Sequence, residues 1–298
     1  MLRRLWIYQR ERFPLAAMAA LALLLAAAAM LFSARLRGAP LPAAGALCAA
    51  AASVFLVFIQ MRVFDEFKDR EDDARYRPYR PVPRGLVSLA ELRGVQIAAS
   101  AGMIVIALAL DARLLWLLAA LWGYLLLMAV EFFAPVWLRA RHFAYLVSHI
   151  PFGGLIALYA SAFEWLPRGA HPHPALLLLA AAVLFDSTLL EIGRKIRAPR
   201  DEETGVATYS HVWGPTRATL AWLAAFALLL VFGLLAAHAT GDGATFTLLM
   251  APLALVAGLC ALRYLRRPEN AKAFEPVSGV VSLALFTALG PLPVLLSV

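Results

Sequence analysis

Long apolar runs alternate with short polar ones along the whole chain. Runs of about 20 residues match the hydrocarbon thickness of a bilayer. About nine spans are predicted, roughly at 13–33, 41–63, 94–110, 114–134, 143–162, 174–193, 218–238, 244–262 and 277–297. Several are rich in Ala and Gly, which lets helices approach closely. Ahead of them, residues 1–12 set Arg3, Arg4, Arg10 and Arg12 around Leu5, Trp6, Ile7 and Tyr8, the pattern of an interfacial lead-in to a membrane. The predicted fold class is all-α, a polytopic transmembrane bundle forming one domain over residues 1–298.

Composition agrees. With 62% hydrophobic and 15% charged residues in 298, a soluble domain is excluded. A net charge of +8 in a soluble protein would point to nucleic acid, but here the placement of the arginines explains it. If the N-terminus is cytoplasmic, all 27 Lys and Arg except Arg35, Arg37, Arg113 and Arg168 fall on the cytoplasmic side. The expected location is thus the inner (plasma) membrane of a bacterium, with any active-site cavity opening to the cytoplasm. Cys48 and Cys260 lie in apolar runs and are read as core residues without a disulfide. The first apolar run is long and lacks a small-residue cleavage site, so it is read as a span, not a signal peptide.

Two polar stretches carry candidate chemistry. In the first, Asp65, Glu66, Asp69 and Asp73 are followed by Arg75, Arg77, Arg80 and Arg84. Asp65, Asp69 and Asp73 share one face if the preceding helix continues. Like charges at that spacing repel, and a hard cation such as Mg2+ turns the repulsion into binding. Guanidinium groups downstream suit a phosphate. Acids for a metal, bases for phosphate and an adjacent membrane point to a lipid diphosphate. A merely solvated topogenic loop needs neither the acid spacing nor the run Arg80-Pro81-Val82-Pro83-Arg84-Gly85. The second stretch, after the sixth span, holds Glu191, Arg194, Lys195, Arg197, Arg200, Asp201, Glu202, Glu203 and Gly205.

Together these resemble the UbiA-type intramembrane aromatic prenyltransferases. Their first motif, Asn-Asp-x-x-Asp-x-x-x-Asp followed by Arg-Pro and Gly-x-x-Ser, is matched by Asp65-Glu66-x-x-Asp69-x-x-x-Asp73, Arg80-Pro81 and Gly85-Leu86-Val87-Ser88. Their second, Asp-x-x-x-Gly-x-x-Thr, is matched by Asp201 to Thr208, with Gly214 beyond. Asp65 stands where the family has Asn, Glu66 where it has Asp, and Arg194-Lys195-Ile196-Arg197 where it has more acids. The resemblance implies nine helices and transfer of an isoprenyl group from a prenyl diphosphate to an electron-rich, aromatic acceptor. Some members instead use a sugar phosphate or glycerol phosphate, and an aromatic acceptor implies quinone biosynthesis. It further implies Mg2+ held among Asp65, Glu66, Asp69, Asp73, Glu191 and Asp201. The diphosphate would be held by Arg77, Arg80, Arg84, Lys195 and Arg197. The expected catalytic set is Asp65, Asp69, Asp73, Glu191 and Asp201, and the partners are the two substrates and membrane lipid, with no nucleic acid.

Lesser candidates are Asp186 and Glu131 inside spans, His149 as an acceptor contact, and Phe64, Phe67, Tyr145 and Tyr159 as rings facing a carbocation. His171 and His173 read as an ordinary loop. A CDP-alcohol phosphotransferase would need an Asp-Gly-x-x-Ala-Arg lead that the chain lacks. Paired mid-membrane helix breaks would favour a transporter, and only Ile150-Pro151-Phe152-Gly153-Gly154 suggests one, while the basic second motif leaves an inactive scaffold as the other alternative.

Overall fold

The computed structural model describes residues 2–296, all helices and connecting turns, with no strand among them. Helix α1 (Leu2–Arg12) precedes α2 (Leu15–Leu36), α3 (Ala44–Lys68) and the short α4 (Arg70–Tyr76). Then come α5 (Leu89–Leu110), α6 (Leu114–Ala129), α7 (Pro135–Arg139), α8 (His142–His149), α9 (Pro151–Trp165) and α10 (Leu176–Arg194). The chain continues through α11 (Tyr209–Ala239), α12 (Gly243–Arg266), α13 (Phe274–Leu289) and α14 (Pro291–Leu296). Among the described residues, eight helical stretches are long and apolar enough to cross a membrane, with α8 and α9 forming one of them. The shorter apolar α6 is the ninth. The chain is an integral membrane helical bundle. Residue 1 of the lead-in, residue 297 of the last expected span and the C-terminal Val298 lie outside the described residues.

The spans sit where the apolar runs are, and the differences lie at their polar ends. Helix α3 passes the expected end at 63 and carries the first acids on its last turn. Helix α11 starts at Tyr209, not 218, because the Thr208 hydroxyl accepts the His211 N–H at 3.1 Å and caps it. It is broken at Gly214 (φ 78°), just before Pro215. Hydropathy alone sees only the apolar part beyond that break. The last span divides at Gly290 into α13 and α14.

The fourth span departs most. Helix α6 stops at Ala129, and Glu131, Phe132 and Phe133 all take left-handed φ, at 48°, 51° and 58°. Each such residue costs about 1–2 kcal/mol. Local contacts hold them there. The buried Glu131 carboxylate pairs with Lys68 at 3.3 Å and Arg139 at 3.4 Å. The Phe132 ring meets Tyr124 and His149 edge-on, with centroids at 5.7 and 5.8 Å.

Helix α10 packs against α9, α11 and α13, while α2 packs against α3, α9 and α13. A Cβ added at Gly154 would lie 2.8 Å from the Ala180 carbonyl oxygen, so α9 and α10 nearly touch. Asp186 on α10 accepts a hydrogen bond from Ser282 on α13 at 2.7 Å, a link inside the bundle. Tyr159 is similarly occupied by Ser53 at 2.8 Å. At the end away from the charged loops, the buried Glu164 carboxylate accepts from Ser33 at 2.7 Å and pairs with Arg37 and Arg168. Nearby, Arg35 binds Asp242 at 2.9 Å.

Candidate active site

The helical register carries almost unbroken from α3 into α4. Asp69 N–H donates to the Asp65 carbonyl at 2.9 Å, and Asp73 N–H to the Asp69 carbonyl at 2.8 Å. The acids spaced four apart therefore stack along one side. Burial, with the charges of Asp65 and Asp73 behind it, pushes the Asp69 carboxyl above its ordinary value. No cation makes an ion pair with it among the described residues. Asp65 is half exposed and only 3.8 Å from Arg62. These two acids are short of positive charge.

The other two acids of the first stretch are not. Asp73 is buried and pairs with Arg77 at 2.7 Å and Arg80 at 2.8 Å, so it sets the position of both guanidiniums. Glu66 turns the other way, buried between Arg12 at 2.9 Å and Arg62 at 3.3 Å, with the Tyr8 hydroxyl donating to it at 3.4 Å. Arg84 reaches Glu11 of α1 at 2.8 Å and the Tyr79 carbonyl at 2.7 Å.

In the second stretch, Glu191 is held by Lys195 at 2.7 Å and by Arg194 Nε at 2.7 Å. Lys195 Nζ lies 5.8 Å from the centre of the Tyr209 ring. The two loops are joined directly: Tyr79 donates to Glu203 at 2.7 Å, and Gly205 (φ 77°) lies against the Tyr76 ring, where an added Cβ would sit 2.3 Å from ring carbons. Arg197 and Asp201 line a concavity with Arg200, Glu202, Glu203 and Lys272.

The family model of the UbiA prenyltransferase family matches residues 16–286. The chain belongs to that family. Members of the UbiA family are prenyltransferases, and so is this protein. One solved structure like it is the apo form of a UbiA homolog from Aeropyrum pernix K1, with TM-score 0.69 at 18% identity, covering 92% of this chain and 96% of that one. Another comes from work on digeranylgeranylglyceryl phosphate synthase in membranes, with TM-score 0.62 at 16% identity, covering 96% and 99%. At these identities the likeness is one of fold. No curated protein matches the chain.

In this UbiA family member Lys68, absent from the sequence-based candidates, gathers three of the lesser ones beside the acids. Lys68, on the last turn of α3, donates to the Tyr145 hydroxyl at 2.6 Å and lies 3.4 Å from His149 Nε2 as well as beside Glu131. Its position immediately before Asp69 was the available signal. The Tyr145 and His149 rings stack with centroids 4.1 Å apart. Phe67 instead lies under Arg93, at 5.9 Å, on the α1 side. Among the described residues no three His, Cys, Asp or Glu side chains come together as a ready metal cage. The under-neutralised pair Asp65 and Asp69 nevertheless fits a hard cation. Mg2+ is commonly held by one or two carboxylates, with substrate phosphate and water completing its shell.

Proposed function

We propose that this UbiA family protein transfers an isoprenyl group from a prenyl diphosphate to an electron-rich aromatic acceptor, with Mg2+ as cofactor. The observation that carries this is a pair of acids short of cations, Asp65 and Asp69, beside Arg77 and Arg80 held by Asp73, on a loop joined through Tyr79–Glu203 and Tyr76–Gly205 to the loop of Arg194 and Lys195. Asp65 and Asp69 would hold Mg2+, which when bound neutralises charge on the diphosphate leaving group. Arg77 and Arg80, oriented by Asp73, and Lys195, oriented by Glu191, grip the phosphate oxygens. The allylic C–O bond breaks with its electron pair going to the diphosphate. A π pair of the acceptor forms the new bond to the allylic carbon, and the acceptor then loses a proton. The Tyr145 ring that the sequence offered to the cationic fragment is already stacked on His149 at 4.1 Å and lies under Lys68 Nζ at 4.7 Å. The surrounding helices keep water from the ionising carbon.

Glu66 and Arg84 lie outside this ligand set, because α1 occupies both. The basic-residue asymmetry supports placing these loops in the cytoplasm. A second reading is an acceptor bearing its own phosphate, such as a glycerol phosphate or sugar phosphate, for which Arg197, Arg200 and Lys272 line one concavity, along with Asp201, Glu202 and Glu203. The test incubates purified protein with Mg2+, prenyl diphosphates from geranyl to decaprenyl, and a panel of both acceptor types. A product whose mass is that of acceptor plus prenyl group is expected with an aromatic acceptor. Products formed only with phosphate-bearing acceptors would establish the second reading, and free prenyl alcohol alone would refute both.

A further inference from the structure

Helix α1 uses two faces differently. Toward the bundle it presents Leu5 and Tyr8, which join Val63, Val87 and Leu92 in a small core of their own. On the same side Arg12 binds Glu66 at 2.9 Å and Arg4 binds Glu91 at 2.6 Å, while Glu11 is taken by Arg84 at 2.8 Å. The opposite face carries Arg3, Trp6 and Arg10, at helical spacing i, i+3 and i+7. All three are exposed, Trp6 by 61%, and neither arginine has an acidic partner among the described residues. Only Phe13 and Pro14 separate α1 from the first span. That face therefore lies at the membrane boundary, on the side of the acidic loops. An indole and two unpaired guanidiniums at that level match a leaflet of anionic headgroups in charge and amphipathicity.

We propose that α1 docks through Arg3, Trp6 and Arg10 on an anionic lipid leaflet. Through Arg12 and Glu66 that docking steadies the end of α3, where the first acids are displayed. Arg12 and Glu66 act as positioning residues, and α1 makes the order of the acidic loop depend on lipid charge. The proposal stands whether or not the transferase chemistry above is correct, because its readout is structural. Each arginine near an anionic surface favours docking by about fivefold, so the pair contributes roughly 25-fold.

The test is amide hydrogen exchange of the full-length protein in nanodiscs of phosphatidylcholine alone and of phosphatidylcholine with phosphatidylglycerol. Anionic lipid is expected to slow exchange in residues 2–12 by at least tenfold, and to slow it in 62–76 as well. High salt should erase both effects. Arg3→Gln with Arg10→Gln, which breaks no side-chain hydrogen bond or ion pair among the described residues, should abolish the lipid effect in both segments. Arg12→Gln should keep it in 2–12 and lose it in 62–76, and Arg12→Lys should restore the second. Equal exchange in the two lipids, or a double variant that still responds, would overturn the docking. Segment 62–76 responding equally in Arg12→Gln and wild type would overturn the coupling.

Discussion

Arg80 donates from one nitrogen to both carboxylate oxygens of Asp73, at 3.0 and 2.8 Å, across seven residues of chain. Arg77 takes the same carboxylate at 2.7 Å. The acid that spacing sets among metal ligands holds two arginines in this structure. Asp73→Asn is expected to raise the KM for prenyl diphosphate by roughly tenfold or more, the loss of charged hydrogen bonds worth about 1.5–3 kcal/mol. Added Mg2+ should not restore it. Asp69→Asn removes the carboxylate proposed for the metal, which has no ion-pair partner among the described residues, and raised Mg2+ should recover part of its rate. Steady-state kinetics across Mg2+ and prenyl diphosphate concentrations separate the two, and identical Mg2+ rescue in both would place Asp73 with the metal.

Lys195 and Glu191 form the matching pair in the second loop, at 2.7 Å. Lys195→Met is expected to lower kcat/KM by about tenfold to a hundredfold through one lost charge-assisted contact. Excess prenyl diphosphate, not Mg2+, should recover activity. Glu191→Gln releases Lys195 and Arg194 and should leave the Mg2+ dependence unchanged. A steeper Mg2+ requirement in Glu191→Gln would make Glu191 a ligand after all.

Gly205 combines a left-handed φ of 77° with contact against Tyr76. Gly205→Ala is expected to cost activity at least tenfold by parting the two loops, while Tm stays within a few degrees because the bundle is untouched. Adding Tyr76→Ala should restore part of the activity by removing the clash, though not the backbone strain. No gain from the second change would mean the loops need not touch.

Metal and substrate should bind together. Asp65 and Asp69 alone are too few to hold Mg2+ tightly. Neither Mg2+ nor a non-hydrolysable prenyl diphosphate analogue alone is expected to raise Tm by much. Together, at a hundred times the Kd, they should stabilise the protein by about 2.7 kcal/mol. Full turnover in excess EDTA would remove the metal from the mechanism.

Sidedness is best read at Thr204, which is exposed in the second loop. Ser88 is unsuitable because it caps α5, accepting the Glu91 N–H at 3.1 Å. With Cys48 and Cys260 replaced, Thr204→Cys should react in intact cells with a permeant thiol reagent and resist an impermeant one. Labelling by the impermeant reagent would invert the proposed orientation.

The spans were legible because burying 20 apolar residues in lipid needs nothing beyond the segment itself. The stacking of Asp65, Asp69 and Asp73 was legible for the same reason, since helical register is local. What the sequence hid was pairing at a distance. Glu66 looked like a ligand until α1, more than fifty residues earlier, supplied Arg12 and Tyr8. Lys68 gains its place only when α6 and α8 bring Glu131, Tyr145 and His149 to it. The left-handed turn at Glu131 has no Gly or Pro to announce it. Asp201 carried the motif spacing, and its 3-10 turn, Pro199–Asp201, sets it beside Arg200 at 3.9 Å in the concavity that Lys272 also lines.

The knot of Glu164, Arg37, Arg168 and Ser33 ties α2 to α9 at the end of the bundle away from the acids. A carboxylate so deeply buried is tolerated because its partners are held around it, and taking it away alone would strand two guanidiniums. Cohesion there comes from charge as well as from apolar packing. The knot is a clasp between two helices, remote from the residues proposed to meet substrate.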